Sequence, residues 1–228
     1  MIEYIVPGNI DDRILAKTAT LLKDGGTAAI PTDTSWSIVC SMNSREGLKR
    51  LKILSKEKDQ HRFTLLCSDI SQFGEFCSLD NSRFRLIKRL TPGPYVFVLK
   101  TLLGTEKTLG LKRSEIGVRL PDYPVPLALI NALGCPLYGI TAKRDMTGTE
   151  TEPADQRSVD LWSVDQRYAD FIPGEEYLFD GGWELEDIRG LDLILDPGED
   201  RNRIFSTVLD LSSGEIQVLR QGAGYWPV

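Results

Sequence analysis

Thr27-Ala28-Ala29-Ile30-Pro31-Thr32-Asp33-Thr34 runs through Ser35 into Trp36-Ser37-Ile38-Val39-Cys40. The first four residues read as an apolar strand that empties directly into a Pro-Thr-Asp-Thr turn, and Trp36 to Cys40 reads as the strand that leaves it. Thr32, Asp33 and Thr34 therefore present two hydroxyls and a carboxylate at a strand end, where open α/β sheets place ligands. Taken alone, the same residues also read as a capped turn.

Working outward, strands and helices alternate. On the N-terminal side, Tyr4 to Val6 is a short strand. Asn9 with Asp12 resembles a helix start, followed by Ile10, Ile14, Thr18, Leu21 and Leu22 at helical spacing, and Gly25-Gly26 ends the helix. On the other side, Asn43-x-x-Glu46 resembles a capping box opening a helix on Leu48, Leu51 and Leu54. Arg45, Lys49, Lys52 and Lys56 form a basic stripe along that helix, continued by Arg62. Further strands are expected at Phe63 to Cys67, Tyr95 to Lys100, Ile116 to Leu120, Leu137 to Thr141, Leu191 to Leu195, Ser206 to Leu211 and Ile216 to Leu219. Helices are expected from Asp69, over Asn81 to Leu90, and from Pro124 to Leu133, closed by Gly134.

This pattern predicts one α/β (α+β) domain over residues 1–228, a twisted mixed β-sheet with flanking helices. A polar, irregular insertion at about 144–190 carries weak helices, with Trp162, Tyr177 and Trp183 interspersed; its tryptophans read as anchors of the insertion or as a lid over the cleft.

Composition narrows the function. With 228 residues, 41% of them hydrophobic, the chain can build one good core. No apolar run is long enough to span a bilayer, and Met1-Ile2-Glu3-Tyr4 lacks the basic start of a secretory signal, so a cytoplasmic protein with no membrane partner is expected. Four scattered cysteines, Cys40, Cys67, Cys77 and Cys135, read as buried thiols. The single histidine, His61, rules out a His-rich metal site; it reads as an exposed loop residue. A net charge of −6 opposes non-specific attraction to nucleic acid, so any phosphate binding must come from a local basic pocket. Neither G-x-G-x-x-G nor G-x-x-x-x-G-K-[ST] is present, which removes the two commonest phosphate loops.

The order of short motifs resembles the YrdC/YciO family. Pro31-Thr32-Asp33-Thr34 is followed by a basic helix and a Lys-x-Lys loop before an apolar strand. Thr91-Pro92-Gly93-Pro94 is similar to the family's T-P-G turn, and Ile116-Gly117-Val118-Arg119-Leu120-Pro121 to its G-x-R-x-P segment. Ser206-Thr207-Val208-Leu209-Asp210 is similar to its S-T-V-x-D strand, and Arg220-x-Gly222-x-Gly224 to its closing R-x-G. His61-x-Phe63-Thr64-Leu65-x-Cys67-x-Asp69 and Asn81-x-x-Phe84-Arg85-Leu86 resemble the YciO branch.

The resemblance implies a YrdC-like fold with a basic cleft. It also implies an enzyme that joins L-threonine, bicarbonate and ATP into threonylcarbamoyl-AMP and pyrophosphate for tRNA threonylcarbamoyladenosine modification. Mg²⁺ would ride on the nucleotide phosphates. Carried over by position, Lys56 and Lys58 would approach triphosphate and carbamate oxygens, Arg119 would pair with substrate carboxylate or phosphates, and Thr141 would supply a hydroxyl to the reaction. Thr34 would bond the amino acid, while Thr64, Lys143, Ser206, Thr207 and Arg220 would help hold the nucleotide.

Two positions depart from the pattern. The family's K-x-R is Lys56-x-Lys58 here, exchanging a forked guanidinium for a point charge. Its S-x-N is Thr141-x-Lys143, and lysine cannot replace an amide acceptor. The alternative implied is a non-catalytic module of the same fold that binds a nucleotide, tRNA or double-stranded RNA. A third option is adenylation of another small substrate whose extra negative charge Lys143 accepts. The oligomeric state is not legible in the sequence.

Overall fold

The computed structural model describes residues 1–55, 63–102, 114–148 and 175–227. Their order is β1 (Ile2–Tyr4), α1 (Asp12–Lys23), β2 (Ala28–Ile30), β3 (Ser37–Ser41), α2 (Arg45–Leu54), β4 (Thr64–Leu66), α3 (Ser71–Phe76), α4 (Asn81–Leu90), β5 (Tyr95–Lys100), β6 (Glu115–Arg119), α5 (Pro124–Leu133), β7 (Leu137–Thr141), β8 (Leu193–Asp196), β9 (Thr207–Asp210) and β10 (Gln217–Arg220).

All ten strands join one mixed sheet in the order β1-β8-β2-β3-β7-β4-β6-β5-β9-β10. β8 runs parallel to both β1 and β2. β7 runs antiparallel to its neighbours β3 and β4, β4 is parallel to β6, and β5 is parallel to β9.

The two-residue period of a strand divides the core into two layers. Ile38 and Cys40 of β3 and Leu65 of β4 join one cluster with Leu51 and Leu54 of α2, Phe73 of α3 and Ile87 of α4. Their strand neighbours Val39 and Leu66 join the other, with Leu22 of α1 and Val125, Leu129, Ile130 and Leu133 of α5. α5 is apolar through most of its length because it lies against both the sheet and α1. Gly134, at a left-handed φ of 80°, closes it as expected.

Several boundaries differ from the sequence reading. The first strand lies two residues earlier than Tyr4–Val6, where Ile2, Glu3 and Tyr4 pair with Ile194, Leu195 and Asp196. The α1 cap is Asp11, whose Oδ1 accepts from the Arg13 amide at 2.7 Å, rather than Asn9. The α2 cap is Ser44, whose Oγ accepts from the Gly47 amide at 3.0 Å. The expected Asn43-Glu46 box does not form, and Glu46 instead pairs with Lys49 at 3.2 Å. Asp69 caps the turn before α3, accepting from the Ser71 amide, so that helix starts at Ser71.

Within the expected insertion, described residues form short 3-10 turns at Arg144–Thr147, Glu175–Tyr177 and Gly182–Asp187. Trp183 is 68% exposed, so it does not anchor this segment; Leu178, Phe179, Leu185 and Ile188 are the buried apolar side chains of residues 176–190. The reason is local: the Gly182–Asp187 turn packs Leu185 inward, two residues after Trp183, which faces out. Trp162 lies outside the described residues. Among the described residues, no helix is long and apolar enough to cross a membrane.

Phe179 is 1% exposed and Arg144 stacks over its ring at 5.2 Å. Phe179→Ala is expected to cost about 3–5 kcal/mol, read as a lower urea midpoint with an unchanged slope.

Candidate active site

The loop between β2 and β3 is organised by one hydroxyl. Thr32 Oγ1 donates to the Ser35 carbonyl at 2.7 Å and accepts from the Thr34 and Ser35 amides at 3.2 and 3.3 Å. It also lies 3.2 Å from Thr34 Oγ1. Thr32 and Thr34 are buried, so these bonds satisfy groups that water cannot reach. Trp36, fully buried, ties the loop's far end to the 175–190 segment by donating to the Asp180 carbonyl at 3.1 Å.

Arg119 reaches this loop from the end of β6. One terminal nitrogen donates to Asp33 Oδ1 at 2.6 Å and to Thr34 Oγ1 at 3.1 Å. Both partners of the ion pair are nearly closed to solvent, with side chains 7% and 12% exposed. Burial pulls the Arg119 pKa down from its ordinary value, and Asp33 opposes that pull. The pair is incompletely satisfied: Arg119 Nε and Asp33 Oδ2 are buried with no hydrogen-bond partner.

A second arginine comes from the C-terminal end. Arg220 donates from Nε to the Ser206 carbonyl at 2.9 Å and from a terminal nitrogen to Ser206 Oγ at 3.1 Å, with its guanidinium 4.8 Å above the Phe205 ring. Among the described residues it has no carboxylate partner. Burial, and then the nearby charge of Arg119, push its pKa down to about 10. Arg220 remains cationic at neutral pH.

Thr207 holds the turn beyond Arg220. Its hydroxyl donates to the Gly224 carbonyl at 2.5 Å and accepts from the Gly222 amide at 2.8 Å. A Cβ on Gly222 would collide with the Phe205 carbonyl oxygen and lie 2.6 Å from the Ser206 carbonyl carbon, so this close approach requires glycine.

These elements border a cleft of about 600 Å³ lined by Asp33, Pro94, Asp122, Arg201, Arg203 and Ala223, among others. Arg201 stacks on Tyr123 at 4.3 Å and donates to the Thr32 carbonyl at 2.7 Å, while its buried Nε has no partner. Arg203 pairs with Asp180 at 2.9 Å. Two guanidinium groups, Arg201 and Arg203, therefore line the cleft together with the carboxylates of Asp33 and Asp122, and Arg119 reaches its edge through Asp33. That donor set suits a polyanion. Among the described residues, no group of three His, Cys, Asp or Glu side chains is placed to hold a metal ion.

The expected site residues fall into three groups. Thr34 and Arg119 are bonded to each other, and Ser206 and Arg220 form a second bonded pair in which Arg220 feels the charge of Arg119. Thr207 adjoins that pair, with its hydroxyl committed to the turn.

Thr64, Thr141 and Lys143 lie further along the sheet. Thr64 pairs in register with Gly117 and Gly139. Arg119 and Leu137 both stand opposite Leu66, so Thr141, four residues beyond Leu137, is about 13 Å further along the strand direction. Thr141 pairs instead with Ser37, at the base of the β2–β3 loop. Lys143 leads into the Arg144–Thr147 turn, where its carbonyl accepts from the Met146 amide at 3.0 Å. Lys56, Lys58 and His61 lie outside the described residues.

The sequence reading offers Asp33 only as a carboxylate in the Pro-Thr-Asp-Thr turn and passes over Arg201 and Arg203. Arg201-x-Arg203, one residue before Phe205-Ser206, is the available signal. The Arg201–Thr32 contact spans 169 residues, which no local pattern encodes.

The family described as Sua5_yciO_yrdC, Telomere recombination, matches residues 20–159. The chain belongs to the Sua5/YciO/YrdC family. Its relatives include the Escherichia coli (strain K12) "Uncharacterized protein YciO", 29% identical over 224 residues that span 97% of this chain and 95% of that protein. The crystal structure of E. coli YciO matches with a TM-score of 0.77 at 28% identity, covering 99% of this chain and 97% of that one. The Neisseria gonorrhoeae threonylcarbamoyl-AMP synthase is 27% identical over 156 residues, 66% of this chain and 82% of that protein. Sua5 from P. abyssi, in a crystal structure complexed with L-threonine, shares the fold at a TM-score of 0.76 and 20% identity, covering 97% of this chain and 57% of that chain.

Removing Asp33 leaves Arg119 buried without its counter-charge. Asp33→Ala is expected to cost about 3–5 kcal/mol, and Asp33→Asn, which keeps an acceptor, less. Chemical denaturation of both variants checks this.

Proposed function

We propose that this chain binds ATP in the arginine-rich cleft and uses it to convert L-threonine and bicarbonate into threonylcarbamoyl-AMP. The observation that carries the reading is the approach of Arg119 and Arg220 beside a cleft, with the Arg119 Nε and Arg201 Nε donors unmet. Like charges brought together out of bulk water are stabilised by a bound anion. Relatives named threonylcarbamoyl-AMP synthase, and a structural neighbour complexed with L-threonine, support the choice of substrates.

The chemistry balances as follows. The threonine amine attacks the bicarbonate carbon, a C–N bond forms, and water leaves to give a carbamate. A carbamate oxygen then attacks the α-phosphorus of ATP, the bond to the bridging oxygen breaks, and pyrophosphate departs. This displacement needs positioning and charge stabilisation. Arg119 and Arg220 would neutralise phosphate oxygens, with Lys56 and Lys58 adding point charges and Ser206 and Thr207 bordering the nucleotide. Thr34 would orient the amino acid, while Thr64, Thr141 and Lys143 would border the site from β4 and β7. Mg²⁺ would bind through the phosphates. The product would serve tRNA threonylcarbamoyladenosine formation in the cytoplasm, and residues 1–228 would act as one domain.

A second reading is a non-catalytic binder of a nucleotide or RNA on the same fold. Lys143, standing where the family pattern has an amide, favours it.

Incubation with ATP, Mg²⁺, bicarbonate and L-threonine should release pyrophosphate only when every component is present. Arg220→Lys, which keeps the charge but loses the fork, should lower the rate at least about tenfold. ATP binding without turnover would select the second reading.

A further inference from the structure

The arginines at the cleft differ in what they have left to offer a ligand. Arg119 is buried and committed to Asp33 and Thr34. Arg220 is committed to Ser206 and the Phe205 ring. Arg201 spends one terminal nitrogen on the Tyr123 hydroxyl at 3.1 Å and the other on the Thr32 carbonyl, and its Nε is closed to solvent. Arg203 is the exception. It lines the cleft with its side chain 37% exposed, and among the described residues its polar partner is the Asp180 carboxylate, 2.9 Å from Nε. Both of its terminal nitrogens keep unspent donors.

Asp180 is itself held from several sides. Its carbonyl accepts from Trp36 Nε1 at 3.1 Å and from the Arg201 amide at 2.9 Å. Its own amide and that of Gly181 donate to Glu184 Oε1 at 2.8 and 3.1 Å. Glu184 pairs in turn with Arg144 at 2.5 Å, and Arg144 Nε donates to the Leu178 carbonyl at 3.1 Å. These bonds join the turn at 180–184 to the β2–β3 loop, to the cleft wall at Arg201 and to the residues after β7. The Asp180 carboxylate therefore has a fixed place, with one oxygen on Arg203 and the other 4.0 Å from Arg144. A half-exposed ion pair of this kind adds little to stability. It does fix Nε of Arg203 while leaving the flat fork of terminal N–H groups, which takes two oxygens of one oxyanion.

We propose that Arg203 grips an oxyanion of the substrate and that Asp180 is the residue that positions it. The inference rests on the adenylation reading and gives that site two residues beyond those already assigned roles. The oxyanion is a nucleotide phosphate or the carboxylate of the amino acid, since each presents the paired oxygens a guanidinium fork accepts. Arg201 serves as scaffold, holding Thr32 and Tyr123.

Calorimetric titration of the full chain with MgATP and, separately, with L-threonine tests this. Arg203→Met should weaken one of the two at least about tenfold, and which one tells phosphate from carboxylate. Arg203→Lys, which keeps the charge without the fork, should recover part of the loss, and it keeps the test open should Arg203→Met fold poorly. Asp180→Asn preserves the backbone bonds of the turn and should weaken the same ligand about threefold. Added to Arg203→Met it should cause no further loss, because Asp180 acts through Arg203. Arg85→Met, an equal loss of charge on α4, should leave both affinities unchanged. Unchanged affinities in Arg203→Met, tighter binding in Asp180→Asn, or a loss from Asp180→Asn that persists in the Arg203→Met background would overturn the proposal. A parent protein that binds neither ligand would overturn the adenylation reading along with it, so the two failures are distinct.

Discussion

The 2.6 Å ion pair between Arg119 and Asp33 ties the end of β6 to the loop between β2 and β3. Three strands, β3, β7 and β4, separate β2 from β6 in the sheet. The loop therefore folds over ground that backbone pairing alone does not cover. A guanidinium buried there without a counter-charge would cost several kcal/mol. The pair thus fixes the loop, the loop fixes Thr34, and Arg201 also holds the same loop through the Thr32 carbonyl.

Asp33 satisfies only part of the positive charge gathered here. Arg220 has Ser206 and the Phe205 ring as partners, all uncharged, and it sits close enough to Arg119 to feel that arginine's charge. Such an arrangement raises the free energy of the unliganded protein and lowers that of an anion complex, as expected of a preorganised phosphate or carboxylate site. The glycines at 222 and 224 let the C-terminal turn close against Ser206 and Tyr95, which holds Arg220 in place.

Much of the fold was legible because burial on both faces writes itself into strands. Ile38-Val39-Cys40 and Leu65-Leu66 are continuous apolar runs, and their alternate residues enter the two core clusters. Gly134 was legible because a left-handed helix end favours glycine. Caps were read one or two residues off, since Asn9, Asp11, Asn43 and Ser44 are all competent and only the backbone path chooses between them.

The site was half legible. Arg119 and Arg220 stood out through the order of motifs. Arg201 and Arg203 did not, because their roles depend on a chain reversal after β8 that brings them onto Thr32 and Asp180. Trp183 misled because a large aromatic side chain in a polar stretch suggests an anchor, whereas Phe179 and Leu185 fill that place.

The central claim is that Arg220 is held beside Arg119 for an anion rather than for stability. Calorimetric titration of Arg220→Met with MgATP, together with its thermal midpoint without ligand, tests this most directly. The account predicts a midpoint equal to or above that of the parent protein and ATP affinity lower by at least about tenfold. A lower midpoint with unchanged ATP affinity would contradict it, and would make Arg220 a structural residue.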